Sequence, residues 1–226
     1  MTEEPSTRDE VRSAHRYFSS FSADYHEAFA GRGENPLHRT INVLFRRKTF
    51  QKRTAIVRGF LEAHGVAGKR VLDLGCGSGE VSLVAARLGA QVTGLDLVEE
   101  MVATARREAA AAGLADRTQF QVAELHSTTL PASDVTLIVS VLEYYKDIGP
   151  LLKKICDATG ELLILVDTRG PWWRRLLRHA LARLKGFRVY YRSAEDFGSV
   201  VTAAGFSETV RVRGHSFWAL AYRRVR

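Results

Sequence analysis

The sequence predicts an α/β protein with a mostly parallel sheet that is covered by helices on both faces. Short apolar runs of strand length alternate with stretches whose apolar residues recur every three or four positions, which is typical of parallel sheets. The 226 residues suffice for one compact unit with a sizeable core. Strands are expected over residues 70–74, 91–95, 118–122, 134–140 and 161–167, and helices over residues 79–88, 98–112 and 149–158.

The end of the chain predicts two further strands. Residues 207–225 read SETVRVRGHSFWALAYRRV, and Gly214-His215 in the middle favours a tight turn between two strands. The last strand is expected to run antiparallel to its neighbours. Its start, at His215 and Ser216, would then lie at the edge of the sheet where open α/β sheets bind ligands.

The first 64 residues predict a helical segment ahead of the domain over residues 65–226. Two helices are expected, over residues 8–30 and 37–64, because a Gly/Asn/Pro-containing break separates them. The aromatic residues of the first helix recur at helical spacing, which usually marks a face packed on the domain.

Composition indicates an ordinary soluble enzyme, with 46% hydrophobic and 26% charged residues. The polar start MTEEPSTRDE is unlike a secretory signal, and no apolar run approaches the length of a membrane span. The two cysteines, Cys76 and Cys156, make no disulfide framework. We therefore expect a cytoplasmic protein without a membrane span.

The net charge of +8 leaves several interpretations open. Much of the excess lies within residues 46–53, 174–188 and 223–226. Solvated basic helix faces are the simplest interpretation, followed by an anionic small substrate or an acidic membrane surface. RNA is the least favoured partner, because no RNA-binding module accompanies the basic residues.

The most informative stretch is VLDLGCGSGEVSLV, residues 71–84. A strand runs directly into Gly75, Gly77 and Gly79, and a helix follows them. Strand, glycine turn and helix together bring backbone N–H groups and a helix N-terminus to a small ligand. Asp73, just before the glycines, supplies a carboxylate that can receive an ammonium group.

A second acidic residue, Asp96, stands at the end of the strand QVTGL, about twenty residues beyond the first glycine. A carboxylate at this place hydrogen-bonds ribose hydroxyls, in both NAD and S-adenosylmethionine sites. Asp96 alone does not choose between these cofactors. Its other possible role is the N-cap of the helix that begins behind it.

These landmarks resemble those of class I S-adenosylmethionine-dependent methyltransferases. The glycines have GxGxG spacing, since position 80 is Glu rather than the last glycine of a dinucleotide site. The segments FQVAEL, residues 120–125, and VTLIVSVLEYY, residues 135–145, follow in the family's order. Position 124 is Glu where most relatives carry Asp, which is a mild departure.

The resemblance implies a Rossmann-like sheet of seven strands, mostly parallel with the last strand antiparallel, and an N-terminal helical lid over the cofactor. It implies S-adenosylmethionine as the cofactor and S-adenosylhomocysteine as its product. The residues it assigns to the cofactor are Asp73, Gly75, Gly77, Gly79, Asp96, Leu97, Glu124, Leu125 and Ser140, together with Tyr17 and Tyr25 of the lid. Core packing is the alternative role for either tyrosine.

Catalytic candidates must come from strand ends that face the cofactor. Methyl transfer is an in-line displacement, in which the protein mainly aligns the acceptor, although a hydroxyl or amine acceptor also needs a base. His215 has a suitable pKa range, and Tyr144 stands where many small-molecule methyltransferases carry a His. Simple solvation is the alternative role for a His in a hairpin turn. No metal-ligand cluster is recognisable, so no metal is expected.

Substrate-binding candidates lie after the fourth and fifth strands. The segment that begins at Pro171 has an apolar stripe at helical spacing and predicts a helix that covers the substrate, with Trp172 or Trp173 as a flat apolar wall. The alternative is that both tryptophans seal the sheet. The full set of substrate-binding candidates is Glu143, Tyr145, Arg169, Trp172 and Trp173.

The resemblance implies methyl transfer to an oxygen or nitrogen atom of a small-molecule acceptor, which the basic residues suggest is anionic. The pattern is similar to that of magnesium-protoporphyrin O-methyltransferases and natural-product tailoring enzymes. Two alternatives stay open: an RNA methyltransferase that uses the basic surface, and a relative that binds the cofactor without methylating, such as a cyclase or a regulatory protein. The sequence does not assign an oligomeric state.

Overall fold

A single seven-stranded sheet organises the protein. The computed structural model describes residues 48–225 and, ahead of them, the helical residues 9, 12, 13, 15, 16, 18 and 19. The strand order is β3-β2-β1-β4-β5-β7-β6, in which β1 to β5 are parallel and β7 is antiparallel to both β5 and β6. The strands are β1 (Arg70–Leu74), β2 (Gln91–Asp96), β3 (Thr118–Val122), β4 (Ser133–Val139), β5 (Thr159–Thr168), β6 (Phe206–Arg213) and β7 (Phe217–Arg224).

Helices connect the parallel strands and cover both faces of the sheet. They are α1 (Lys48–His64), α2 (Glu80–Arg87), α3 (Glu99–Ala111), α4 (Gly149–Ala158), α5 (Trp172–Leu184) and α6 (Ala194–Ala203), with 3-10 turns at Ala115–Arg117 and Leu142–Tyr144. The start of α6 is fixed by a capping box, in which Ser193 and Asp196 satisfy each other's backbone N–H groups. No helix in the described part of the chain is long and apolar enough to cross a membrane.

The central strands are buried on both faces, as expected for a parallel sheet between two helical layers. In β5, Leu163 and Leu165 belong to the apolar core on one face, whereas Leu162, Ile164 and Val166 belong to the core on the other. Because helices cover both faces, ligands can approach the sheet only at the ends of its strands, and open α/β sheets bind them at the carboxyl ends.

The predicted fold class is confirmed, including the antiparallel last strand and the hairpin around Gly214-His215. Strand β5 is longer than the predicted 161–167, because its pairing extends to Thr159 at one end and Thr168 at the other. The described residues between 9 and 19 are helical, as expected for the first helix. The division into a lid over 1–64 and a domain over 65–226 stays a prediction.

Candidate cofactor and acceptor sites

The loop after β1 requires glycine for two separate reasons. Gly75, Gly77 and Gly79 all have positive φ, at 70°, 53° and 85°, a region that L side chains rarely adopt. A Cβ on Gly75 would also lie 2.2 Å from Cγ2 of Val141. Gly77 differs, because a Cβ there would meet nothing within 4 Å. The backbone at Gly77 therefore borders open space, which a ligand can approach.

Asp96 holds this loop against the end of β2. One carboxylate oxygen accepts a hydrogen bond from the N–H of Gly77 at 2.8 Å, and the other accepts one from Val98 at 2.9 Å. Burial raises the pKa of Asp96, although these backbone N–H groups oppose the rise. The N-cap interpretation is wrong, because α3 begins at Glu99 with Val98 at the N-cap position and no side-chain cap.

Asp73 lies beneath the glycine loop. Its carboxylate is buried and accepts a 2.6 Å hydrogen bond from Oγ of Ser82, which fastens α2 to β1. Burial raises the pKa of Asp73 to about 6, with a further contribution from the nearby Asp96. The structure thus gives Asp73 a role in holding the loop, and its contact with an ammonium group stays a prediction.

The opposite end of the candidate cofactor site lies near β3 and the N-terminal residues. The carboxylate of Glu124 accepts hydrogen bonds from the N–H groups of His126 at 2.8 Å and Ser127 at 2.7 Å, and Leu125 is buried. Leu97 lines a cavity of about 500 Å³ under the N-terminal helical residues. The other residues that line this cavity are Asp9, Arg12, His15 and Arg16. Tyr17 and Tyr25 lie outside the described residues.

The geometry fits a cofactor with an amino-acid tail and a ribose. The loop presents backbone beside open space at Gly77, and the N-terminus of α2 begins directly after Gly79. Each oxygen of Asp96 accepts one backbone N–H and keeps a lone pair for a ribose hydroxyl. Leu97 lies next in the chain and lines the neighbouring cavity. Gly77, Asp96 and Leu97 thus lie at the carboxyl ends of β1 and β2, and the other residues predicted for the cofactor stay predictions.

Arg53 of α1 is a functional candidate that the sequence analysis missed. Its guanidinium donates hydrogen bonds to Oγ of Ser140, to Oγ1 of Thr168 at 3.2 Å and to the carbonyl of Ser216 at 3.4 Å. These three partners lie at the ligand-side ends of β4, β5 and β7. Ser140 has φ of 62° and is, among the described residues, the one non-glycine residue with positive φ. The sequence could have indicated this inward position, because Arg53 lies one helical turn before Val57, which is buried, and therefore shares its helix face.

Glu143 and Arg178 form a buried ion pair that joins α5 to the end of β4. Both carboxylate oxygens of Glu143 accept hydrogen bonds from the Arg178 guanidinium, at 2.7 and 2.8 Å, and Glu143 is only 2% exposed. Burial favours the protonated acid, but Arg178 outweighs it and lowers the pKa of Glu143. Arg178 therefore occupies both carboxylate oxygens of Glu143, which the sequence predicted to bind substrate.

Asp167, at the same edge of the sheet, has a carboxylate oxygen without a hydrogen-bond partner. It is 1% exposed, and one oxygen accepts the N–H of Thr168 at 2.8 Å, whereas Oδ2 has no hydrogen-bond partner. Burial and the neighbouring Glu143 raise the pKa of Asp167 to about 8. The carboxyl group is therefore protonated at neutral pH and can donate a hydrogen bond.

The two tyrosines after β4 pack against different neighbours. The ring of Tyr144 meets Phe18 of the N-terminal helix edge-on, with 5.1 Å between the ring centroids. Tyr145 is buried, and its ring lies 4.9 Å from that of His126. Tyr144 thus lies where the N-terminal helical residues meet the end of β4, which suits a residue between lid and acceptor.

The turn between β6 and β7 lies at the ligand-side edge, as predicted. The backbone carbonyl groups of this turn, rather than the imidazole of His215, accept the hydrogen bonds from Arg169. Arg169 donates its backbone N–H to Ser216 at 3.0 Å and its guanidinium to the carbonyl of Gly214 at 2.9 Å, and it stacks on the ring of Trp218. The side chain of His215 is exposed. Its catalytic role stays a prediction.

The tryptophans of α5 do not seal the sheet. Trp172 is 75% exposed and Trp173 is 52% exposed, so the sheet-sealing interpretation is wrong. The structure brings Arg53, Glu143, Tyr144 and Asp167 to one edge and leaves the tryptophans on the outer surface. Their role in substrate binding stays a prediction.

Comparison with known sequences identifies the central domain. Residues 71–160 match a family described as a methyltransferase domain. The ubiquinone biosynthesis O-methyltransferase of Aeromonas salmonicida is 36% identical over 111 residues, which is 47% of this chain and 47% of that protein. The chain spans about half the length of the curated relatives it matches.

Solved structures extend the likeness to nearly the whole chain. The magnesium protoporphyrin IX methyltransferase from Synechocystis PCC 6803, with bound SAH, has a TM-score of 0.77 at 20% identity, covering 96% of this chain and 100% of that one. The 1,6-didemethyltoxoflavin-N1-methyltransferase from Burkholderia thailandensis has a TM-score of 0.69 at 16% identity, covering 100% of this chain and 93% of that one. At these identities the likeness concerns the fold.

The predicted resemblance is confirmed. The protein has the class I S-adenosylmethionine-dependent methyltransferase fold, and its residues 71–160 match a methyltransferase domain in sequence.

Proposed function

We propose that this protein transfers a methyl group from S-adenosylmethionine to an oxygen or nitrogen atom of a small-molecule acceptor. The observation that carries the proposal is the arrangement of the glycine loop and Asp96 at the carboxyl ends of β1 and β2. There the glycine loop borders open space at Gly77, while Asp96 holds the loop and keeps lone pairs for a ribose. The solved relatives with bound cofactor or product support the same ligand.

The cofactor supplies the electrophilic methyl group when it is bound. The chain then has to position the acceptor in line with that group and exclude water. Backbone N–H groups after β1 and the N-terminus of α2 are suited to the cofactor's amino-acid end, and Asp96 to its ribose. Ser140 and Tyr144 follow β4, next to Arg53, Glu143 and Asp167, the group that we call the acceptor side.

The charges at the acceptor side favour an acceptor that is anionic. Glu143 and Arg178 neutralise each other, and Asp167 is protonated at neutral pH. Arg53, whose three hydrogen-bond acceptors are uncharged, therefore adds a positive charge to these groups. Its Nε is buried without a hydrogen-bond partner, as is Oδ2 of Asp167, so each group has capacity for a ligand. We infer an acceptor that presents a carboxylate or phenolate oxygen to Arg53.

The catalytic base stays a proposal. His215 lies in the exposed turn before β7, and Tyr144 lies against the N-terminal helical residues beside the end of β4. An acceptor that binds as an anion needs no base at all, because its reacting oxygen is already deprotonated. Replacing His215 by Asn should therefore affect a phenol acceptor strongly and a carboxylate acceptor weakly.

Calorimetric titration with S-adenosylmethionine and S-adenosylhomocysteine tests the cofactor. The Asp96→Asn variant should bind about tenfold or more weakly, because a hydrogen bond to a charged group is lost. Glu99→Gln is the matched control, since it removes the same charge from an exposed position in the next helix. Absence of binding to the wild-type protein would overturn the proposal.

Turnover separates methyl transfer from the alternatives. Release of S-adenosylhomocysteine is measured with panels of phenols, carboxylic acids and amines. Cofactor binding without turnover on any panel would favour the non-methylating relative. Binding of RNA that weakens steeply with salt would favour an RNA substrate. Localisation in the cytoplasm stays a prediction, which fractionation of the source cells would test.

A further inference from the structure

Helix α5 is oriented with its charged side toward the fold. Arg178 turns inward to the buried Glu143, and Arg175 and His179 lie against the ring of Tyr191. Ala182, on the same side, is only 2% exposed. An ordinary surface helix buries its apolar stripe and exposes its charges. In α5 the apolar stripe is exposed instead, and Arg178 turns inward, while Arg174 and Arg183 stay exposed beside the stripe.

The apolar side of α5 faces outward. Six large apolar side chains of this helix are between 49% and 83% exposed. They recur at the three- and four-residue spacing of one helical face, which makes them a continuous stripe. A stripe of this size on a protein surface marks an interaction site. These residues, the outer stripe, are Trp172, Trp173, Leu176, Leu177, Leu181 and Leu184.

The charged residues of the segment that carries the outer stripe are all basic. Between Asp167 and Glu195 the sequence contains no acidic residue. Over the same interval it contains Arg169, Arg174, Arg175, Arg178, Arg183, Lys185, Arg188 and Arg192. A partner for this surface must therefore be apolar at its centre and anionic around it.

We propose that the outer stripe docks on an anionic lipid bilayer, with α5 lying in the plane of the interface. A helix with a basic polar side and a Trp/Leu stripe inserts its apolar side between the headgroups, while its arginines pair with lipid phosphates. The long arginine stems allow the guanidinium groups to reach the headgroups from the sides of the stripe.

The same observations disfavour other occupants. A second copy of α5 would bring like-charged arginines together, since residues 168–194 contain no acidic residue to pair with them. RNA would use the guanidinium groups but leave six apolar side chains in water. A bilayer satisfies both the apolar and the cationic parts of the surface.

Docking would place the acceptor side near the membrane surface. Helix α5 begins four residues after the end of β5, and Arg178 ties it to Glu143 beside the acceptor side. Docking itself does not require methyl transfer, so it can be tested independently of the proposed function.

Vesicle co-sedimentation of the full chain tests the proposal. The probes are vesicles of phosphatidylcholine alone and of phosphatidylcholine with phosphatidylglycerol in equal parts. We expect binding to the anionic vesicles, weakened by salt. Leu176→Gln/Leu177→Gln should reduce the partition coefficient more than about tenfold, because two leucines no longer insert. Arg174→Gln should reduce it about fivefold.

Two controls keep the result interpretable. Val122→Gln/Val210→Gln changes two exposed apolar residues away from α5 and should bind vesicles like the wild type. Thermal unfolding should be unchanged in every variant, since all the altered side chains are exposed. Tryptophan fluorescence should shift to shorter wavelength with anionic vesicles, and Trp172→Phe/Trp173→Phe should abolish the shift.

Several results would overturn the proposal. One is absence of binding to anionic vesicles at low salt, and another is undiminished binding by the double glutamine variant. Concentration-dependent dimers that this variant abolishes, in a protein that does not bind vesicles, would assign the outer stripe to a second copy. RNA binding without vesicle binding would assign the basic residues to nucleic acid. Cofactor titration with the same samples reports separately on the proposed function.

Discussion

Replacement of Gly75 by alanine should destabilise the fold through one identifiable contact. Gly75 has φ of 70°, and a Cβ at this position would lie 2.2 Å from Cγ2 of Val141, whereas its distance from Cβ of Val141 would be 3.4 Å. The new methyl group therefore collides with a side chain that follows β4. The collision is relieved if the γ carbons of Val141 are removed.

The expected destabilisation has two parts. Placing alanine in the left-handed region costs about 1–2 kcal/mol. Forcing a methyl group into a packed site costs about 1–3 kcal/mol more. The free energy of unfolding of Gly75→Ala should thus fall by about 2–5 kcal/mol, which lowers the melting temperature by roughly 4–20 °C for a domain of this size.

A double-mutant cycle with Val141→Ala isolates the collision. Urea unfolding of the wild type, both single variants and the double variant gives four free energies. The double variant should be about 1–3 kcal/mol more stable than the sum of the single effects predicts, because alanine at 141 leaves room for the new Cβ. Additive effects would refute this explanation, as would a Gly75→Ala protein as stable as the wild type.

Gly77→Ala provides the contrasting variant. Its Cβ would meet nothing within 4 Å, so the cost to stability is confined to the backbone conformation, about 1–2 kcal/mol. The same Cβ would project into the space that the cofactor is proposed to approach. Calorimetry should therefore show a larger loss of S-adenosylmethionine affinity than of stability. Unchanged affinity would contradict the placement of the cofactor at this loop.

Three further predictions concern buried charges. The pKa of Asp167 is about 8 in the folded protein, whereas the unfolded chain releases the same proton near pH 4. The free energy of unfolding should therefore fall as the pH rises between these values, and Asp167→Asn should flatten that slope in pH-dependent urea unfolding. Glu143→Gln should cost about 1–3 kcal/mol, because the half-buried Arg178 loses its counter-ion, and Glu143→Gln/Arg178→Met should recover most of this in the same assay. Ser82→Ala should cost about 1–3 kcal/mol in thermal unfolding, because Asp73 loses its hydrogen bond; an unchanged melting temperature would contradict that.

The part of the site that the sequence predicted is the part built by local chain geometry. The glycine loop, the acid at the end of β2 and the strand–helix alternation are encoded within a few residues of one another. Their spacing and backbone requirements can therefore be recognised without knowing the rest of the fold. The antiparallel last strand was also predicted, because the sheet order follows from the resemblance to a known architecture.

The acceptor side depends on contacts between distant parts of the chain. Arg53 reaches Ser140 across 87 positions, and Arg178 reaches Glu143 across 35. Neither pairing can be recognised from neighbouring residues in the sequence, because it forms only when the crossover connections bring α1 and α5 to the end of β4.

The sequence by itself determined that α5 would be an amphipathic helix, but it could not determine which side would face the protein. Periodicity fixes the angular positions of side chains around a helix axis and says nothing about the rotation of that helix against the fold. The tertiary structure decided this rotation through the ion pair of Arg178 with Glu143 and the burial of Ala182. Those contacts turn the outer stripe toward the solvent, where the sequence had predicted a wall for the substrate.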